Sequence, residues 1–288
     1  MDWKDKVCII TGATSGIGRE AAFDIARKGI HLVLPVRNMT KGMTLKNEIA
    51  KKTGNHQVHL YECDLSSMDS IRKFCDDFLQ KYNHLHILIN NAGTWETSRK
   101  ESVDGIELTL AVNHLAPFLI TNLLLKRMKN STPARIINVS SKAHIRGNLN
   151  FQDLEGKNSW SSFGSYANSK LANILFTREL ARRLNGSGIT ANSLHPGVVD
   201  TRLYHKMPAF LTSFFRLFMI SPSKGSETIV YLALSPEVQQ ESGEYFYKKK
   251  VRKPARQALD DTAARRLWEV SCEYTGIQEN MTGHEKTA

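Results

Sequence analysis

The sequence predicts an α/β fold, a doubly wound parallel sheet with helices on both faces, and two features carry that expectation. Apolar runs of five to seven residues alternate, strand then helix, with stretches whose apolar residues recur three and four apart. The first run also opens directly onto a glycine loop, Gly12-Ala13-Thr14-Ser15-Gly16-Ile17-Gly18, with an amphipathic stretch behind it. Strand, glycine loop, helix is the opening unit of a Rossmann-type nucleotide-binding sheet. About seven strands are expected. No repeat, low-complexity tract or linker interrupts the 288 residues, so they are expected to form a single domain.

Residues 6–11 are a short apolar run, the shape of a strand buried on both faces. Gly12 permits a tight turn, Gly16 lets backbone approach a pyrophosphate, and Gly18 lets the following helix (19–28) pack closely. Thr14, Ser15 and Ile17 complete a loop whose free helix-terminal amides suit phosphate. Residues 31–36 form the second strand, followed by Arg37 and Asn38. A carboxylate there would meet adenosine ribose hydroxyls; an arginine suits a 2′-phosphate and favours NADP(H) over NAD. An arginine that only caps the sheet edge is the alternative. A helix over 39–52 leads to a third strand, 57–63, ending at Asp64-Leu65. Asp64 either bonds the adenine amine or starts the next helix (70–82), with Ser66 or Ser67 as N-cap.

The fourth strand, 85–89, ends in Asn90-Asn91-Ala92-Gly93, small residues and amides that fit backbone passing close to a cofactor. One long or broken helix is expected over 103–125, with Asn113 among Leu110, Val112, Leu115 and Phe118. A buried amide in that setting needs hydrogen-bond partners. Strand 135–139 ends in Ser140-Ser141, and 144–164 is polar and glycine-rich without a period. Tyr166 and Lys170 open a helix that continues through Leu180, and four-residue spacing sets them a turn apart on one face. A neighbouring ammonium favours the phenolate of a side chain that normally titrates near ~10, which makes a general acid/base.

Strand 189–195 is followed by Pro196-Gly197 and a turn to Thr201. The segment 203–220 is apolar and aromatic; it reads as a lid over an apolar substrate, or equally as a packing helix or an oligomer contact. A helix over 223–234, a last strand over 243–247 and a helix over 260–274 complete the chain, with a fraying tail at 277–288.

The net charge is +11, but the basic residues are dispersed and the densest run, 248–253, reads as a solvated face. No nucleic-acid partner is expected. Four cysteines show no metal-ligand spacing, which suits buried thiols in a reducing compartment and no metal. The N-terminal residues are charged, and no window reaches the ~18 uncharged apolar residues of a membrane span. A cytoplasmic protein is expected, with peripheral membrane contact and self-association left open. A non-catalytic dinucleotide sensor or scaffold, and an acidic-surface binder, are the rival classes.

Thr11-Gly12-x-x-x-Gly16-Ile17-Gly18, Asn90-Asn91-Ala92-Gly93, Asn113, Ser140-Ser141, Tyr166-x-x-x-Lys170 and Pro196-Gly197 occur in this order. Together they resemble the short-chain dehydrogenase/reductases, over roughly residues 5–247. Val112 to Phe118, Asn148 to Leu154 and Leu194 to Thr201 are similar to the retinol dehydrogenase branch. The resemblance implies an NADP(H)-dependent oxidoreductase acting on a carbonyl/alcohol pair. Residues 5–140 would be mainly the cofactor half and 141–250 the catalytic and substrate half. It implies that Tyr166 exchanges the proton, Lys170 lowers the phenol pKa and bonds the nicotinamide ribose, and Ser141 bonds the substrate oxygen. Asn113 would hold a relay water, and Val199 and Thr201 would meet the carboxamide. His114 and His195 match no family role and are read as structural. With the apolar 203–220 segment, the expected substrate is small and lipophilic: retinal, a lipid aldehyde or a steroid-like ketone.

Overall fold

The computed structural model describes residues 3–198 and 220–278. Among these, β1 (Val7–Ile10), β2 (His31–Val36), β3 (Val58–Glu62), β4 (Ile87–Asn90), β5 (Ala134–Val139), β6 (Ile189–His195), β7 (Tyr245–Tyr247) and β8 (Lys250–Val251) form one sheet. Its order is β3-β2-β1-β4-β5-β6-β7-β8. All neighbours are parallel except β7 and β8. The order reverses between β1 and β4, the switch point at which open α/β sheets bind ligands.

The two-residue period of a strand sorts the apolar side chains of these runs onto two faces. Ile9, Val33, Leu88, Ile136 and Ala191 join one core cluster with Phe74, Phe118, Phe176 and Trp268. Those aromatics come from α3 (Met68–Lys81), α4 (Leu108–Lys129), α5 (Ser162–Arg183) and α7 (Asp261–Thr275). Cys8, Ile10, Leu32, Leu34, Ile87 and Ile89 join the other cluster. There they meet α1 (Gly16–Ala26), α2 (Met39–Thr53) and α6 (Pro222–Leu234).

The helix starts follow from local chemistry. Ser67 caps α3 by accepting from Ser70 N–H, Ser161 caps α5 through Gly164 N–H, and Asp260 caps α7 through Thr262 and Ala263. Of the two candidate caps for α3, Ser67 is the one used. Of the long or broken helix expected over 103–125, the structure has one continuous helix from Leu108, with a turn of π-helix, Ala111–Leu115, inside α4. Among the described residues α4 alone is long and apolar enough to cross a membrane, and 83% of its apolar window is buried in the core.

The strand count is eight rather than about seven, because part of the basic run forms β8. Its residues are exposed, as the solvated reading required. Lys248 and Lys249 make the two-residue turn with φ of 52° and 61°. A two-residue hairpin turn that matches strand twist needs positive φ at both positions, so lysines take the conformation usually left to Asn-Gly. Lysines on a short edge strand also discourage pairing with another chain.

α7 closes the α4–α5 face. Trp268 is fully buried, edge-on to Phe118 at 4.9 Å, with the Arg183 guanidinium 4.3 Å from its ring centroid.

Candidate active site

A cavity of about 600 Å³ opens over the C-terminal ends of β1, β4, β5 and β6. It takes Gly12, Thr14, Ser15, Gly16 and Ile17 from the first turn, Arg37 from the end of β2, and Asp64 and Leu65 from the end of β3. Ala92 and Gly93 follow β4, Ser140 and Ser141 follow β5, Pro196 and Gly197 follow β6, and Tyr166 and Lys170 come from α5. Residues from 12 to 197 thus converge because every strand but the last points the same way.

The glycine loop fits a dinucleotide phosphate. Gly12 and Gly16 have φ of +66° and +57°, which side chains disfavour. A Cβ on Gly12 would lie 2.8 Å from Ala92 Cα. α1 begins without a side-chain cap and without an acid in its first turn, leaving its amides to an anion. Asn91 ties this loop to β4, donating its amide to the Thr11 carbonyl (2.8 Å), while Thr11 Oγ1 accepts from Asn91 and Ala92 N–H (3.0 Å each).

Four expected site residues do not reach the cavity wall. Gly18 lies beneath the loop, packed under Gly12 and Asn91, the close-packing role foreseen for it. Asn38 accepts from Lys41 N–H and caps α2. Asn90 points into the core, where its amide donates to Asn138 Oδ1 (2.8 Å) and Thr121 Oγ1 (3.2 Å). Asn113 is fully buried and its amide is satisfied by Thr94 and Ser169. Val199, Thr201 and the lid segment up to 219 lie outside the described residues.

Asp64 takes its place at the start of the next helix and also stands where an adenine could reach it. It lines the cavity, and its Oδ1 accepts from Ser66 N–H and Oγ at the turn into α3. Arg37 is exposed on the cavity wall, and β3 lies outside β2, so it does not follow an edge strand.

The two serines differ. Ser140 Oγ donates to the Lys170 carbonyl at 2.6 Å. Ser141 Oγ accepts from Ala143 N–H and lines the cavity. Lys170 Nζ lies 5.6 Å from the Tyr166 ring centroid and donates to the Val139 carbonyl at 3.2 Å. Burial lowers the Lys170 ammonium from 10.5 to about 8. Burial also lowers His114 and His195 to about 4, so both rings are neutral. His114 Nε2 bonds Ser271 Oγ and His195 stacks on Tyr247, which is where structural histidines belong.

The Lys170 shift has a testable sign. Between pH about 8 and 10.5 the unfolded chain holds the proton that the folded chain has lost, so stability from this group rises with pH in that window. Below about pH 8 the buried charge costs stability, on the order of 3 kcal/mol. Lys170→Met is therefore expected to melt no lower than the parent at pH 7, with its advantage shrinking toward pH 10. Melting curves at pH 7, 8.5 and 10 check this; an advantage that grows with pH contradicts it.

Sequence reasoning missed the loop 94–100. Thr94, Glu96 and Lys100 line the cavity, and Trp95 stacks on Tyr166 with ring centroids 4.9 Å apart and planes 12° apart. Their one sequence signal is position, directly after Asn90-Asn91-Ala92-Gly93.

Known proteins agree with this geometry. Residues 6–211 match the family model for short chain dehydrogenase. Retinol dehydrogenase 11 of Mus musculus is 43% identical over 274 residues, spanning 94% of this chain and 87% of that protein. Retinol dehydrogenase 12 of Mus musculus is 44% identical over 275 residues, spanning 95% and 87%. Among solved structures, an uncharacterized protein from Mycobacterium Paratuberculosis superposes with a TM-score of 0.77 at 31% identity, over 96% of this chain and 95% of that one. The chain belongs to the short chain dehydrogenase family, on its retinol dehydrogenase branch, and is an oxidoreductase that uses a nicotinamide cofactor on an alcohol/carbonyl pair.

Proposed function

We propose that the protein is an NADP(H)-dependent oxidoreductase of lipophilic carbonyl/alcohol pairs, with Tyr166 as its proton donor and acceptor. The observation that carries this reading is the placement of Tyr166 and Lys170 together on the wall of a glycine-lined cavity at the sheet's switch point. The nicotinamide supplies or accepts the hydride.

The chain's own residues do the rest. Tyr166 gives its hydroxyl proton to the carbonyl oxygen during reduction and takes one from the alcohol in oxidation. The Lys170 ammonium holds charge beside the phenol below about pH 8 and favours the phenolate left behind. It would also bond the nicotinamide ribose of a bound cofactor. Ser141 hydrogen-bonds the substrate oxygen, where negative charge grows. The Ser140 hydroxyl is committed to the Lys170 carbonyl, which favours Ser141 for that role. Asn113 sits against Gly93 beside Lys170 with its side-chain amide taken by Thr94 and Ser169, so a relay water at the ammonium would rest on other groups of this turn. The backbone around Ala92, Gly93, Pro196 and Gly197 would lie against the cofactor, and Asp64 with Leu65, which line the same cavity, would face the adenine.

Arg37 supports the phosphorylated cofactor, because an exposed guanidinium at the end of β2 offers two parallel donors to a 2′-phosphate. Arg37→Ala is expected to raise KM for NADPH about 10- to 100-fold, the worth of a charge-assisted bidentate contact, and to leave KM for NADH nearly unchanged. A parent that prefers NADH overturns this part of the reading.

Two observations support a lipophilic substrate: likeness to proteins called retinol dehydrogenases, and the apolar sequence of 203–220. The deciding experiment follows NADPH and NADH oxidation against aldehydes and ketones of rising apolar size, retinal among them. The reading expects kcat/KM to climb with chain length. NADPH binding with no turnover on any substrate would indicate a dinucleotide sensor instead.

A further inference from the structure

The loop after β4 is held from both sides by groups that are not on the cavity wall. Thr94 N–H donates to Asn113 Oδ1 (2.7 Å), and the Thr94 carbonyl accepts from the Asn113 amide (2.9 Å). Two residues on, the Glu96 carbonyl accepts from Ser162 Oγ (2.5 Å), in the first turn of α5. The buried Glu96 carboxylate takes the Thr94 hydroxyl (2.7 Å) and the Lys100 ammonium (2.8 Å). Between these anchors the Trp95 indole N–H donates to Ser162 Oγ at 2.8 Å. A ring fixed through its neighbours and its own N–H has a plane set independently of anything stacked on it.

That ring lies flat against Tyr166, at 4.9 Å and 12°. We propose that Trp95 is a positioning residue for the phenol of Tyr166, with Ser162 and the Asn113–Thr94 pair as its frame. The inference rests on the reading of Tyr166 as proton donor. A tyrosine side chain can swing about two torsions, and proton transfer tolerates little displacement of the hydroxyl. A flat indole on one face of the phenol removes the out-of-plane swing and leaves the hydroxyl directed along the ring plane. Packing alone accounts poorly for Trp95, because the indole is only half-buried. Phe163, 46% exposed and 6.0 Å from it, carries the aromatic surface out toward solvent.

Three variants test this: Trp95→Leu removes the flat face, Trp95→Phe keeps one, and Ser162→Ala releases the indole N–H. The readouts are kcat, KM for NADPH, and the pH profile of kcat. Trp95→Leu is expected to lower kcat about tenfold, with KM for NADPH within about twofold and the pH limb displaced. Trp95→Phe is expected to recover kcat to within about threefold of the parent, and Ser162→Ala to fall between. Trp95→Leu with parental kcat and pH profile overturns the proposal, as does Trp95→Phe performing no better than Trp95→Leu. If Trp95→Leu does not fold, Ser162→Ala decides, because it frees the indole N–H while keeping the ring, and parental kcat and pH profile there overturn the proposal equally. Tyr166→Phe separates the two levels. If it is as active as the parent, the functional reading fails; if it is inactive while Trp95→Leu is normal, only the positioning role fails.

Discussion

Tyr166→Phe is expected to lose about 10²- to 10⁴-fold in turnover while still binding NADPH, because it deletes one hydroxyl and keeps the ring. The ring makes the stacking contact with Trp95 and lies beside the Lys170 ammonium, so both contacts persist in the variant. What disappears is the proton that carbonyl reduction requires. The loss belongs to kcat, since the hydroxyl matters most where charge develops on the substrate oxygen. Stopped-flow hydride transfer, with cofactor binding followed separately by fluorescence, distinguishes the two effects. Weakened cofactor binding with an intact hydride step would place Tyr166 in the cofactor cradle and not in the proton transfer.

Gly18→Ala is expected to abolish cofactor binding, although Gly18 does not touch the cavity. An added Cβ would lie 2.6 Å from the Gly12 carbonyl oxygen and press on the Asn91 amide nitrogen. Neither neighbour can retreat cheaply. One is backbone, and the other donates to the Thr11 and Gly12 carbonyls. Relief requires α1 to move off the sheet or Asn91 to give up its bonds to the phosphate loop. Overpacking of this kind costs typically about 1–3 kcal/mol of stability. The displacement also falls on the helix terminus that meets the phosphates, so affinity suffers more than folding. Calorimetric titration with NADPH and a melting curve on the same sample check the split. Parental affinity in a folded Gly18→Ala protein contradicts the argument.

What was legible in the sequence was local or periodic. The glycine loop, the Tyr166–Lys170 spacing and the apolar runs each fit within one element, and they gave the sheet, the cavity and most of its lining. The misplaced residues depend on distant partners. Asn90 turns away because Asn138 and Thr121, 48 and 31 residues on, take its amide. Asn38 turns away because α2 needs a cap. Nothing near Trp95 reports that it will lie on a ring 71 positions later, since stacking across two elements leaves no period. β8 was hidden because a two-residue edge strand made of Lys250 and Val251 lacks the apolar run by which strands are read.

The docking of α7 bears on how this chain comes to fold. Phe118 and Phe176 lie in the middle of the sequence, yet their cover is Trp268, and Arg72 near the start bonds the Thr275 carbonyl. During synthesis the hydrophobic side of α4 and α5 therefore stays uncovered by α7 until residues 261–275 have left the ribosome. Nascent chains that stop short of residue 261 would present that surface to chaperones, whereas the nucleotide-binding loop near the start is complete as soon as β4 has joined β1.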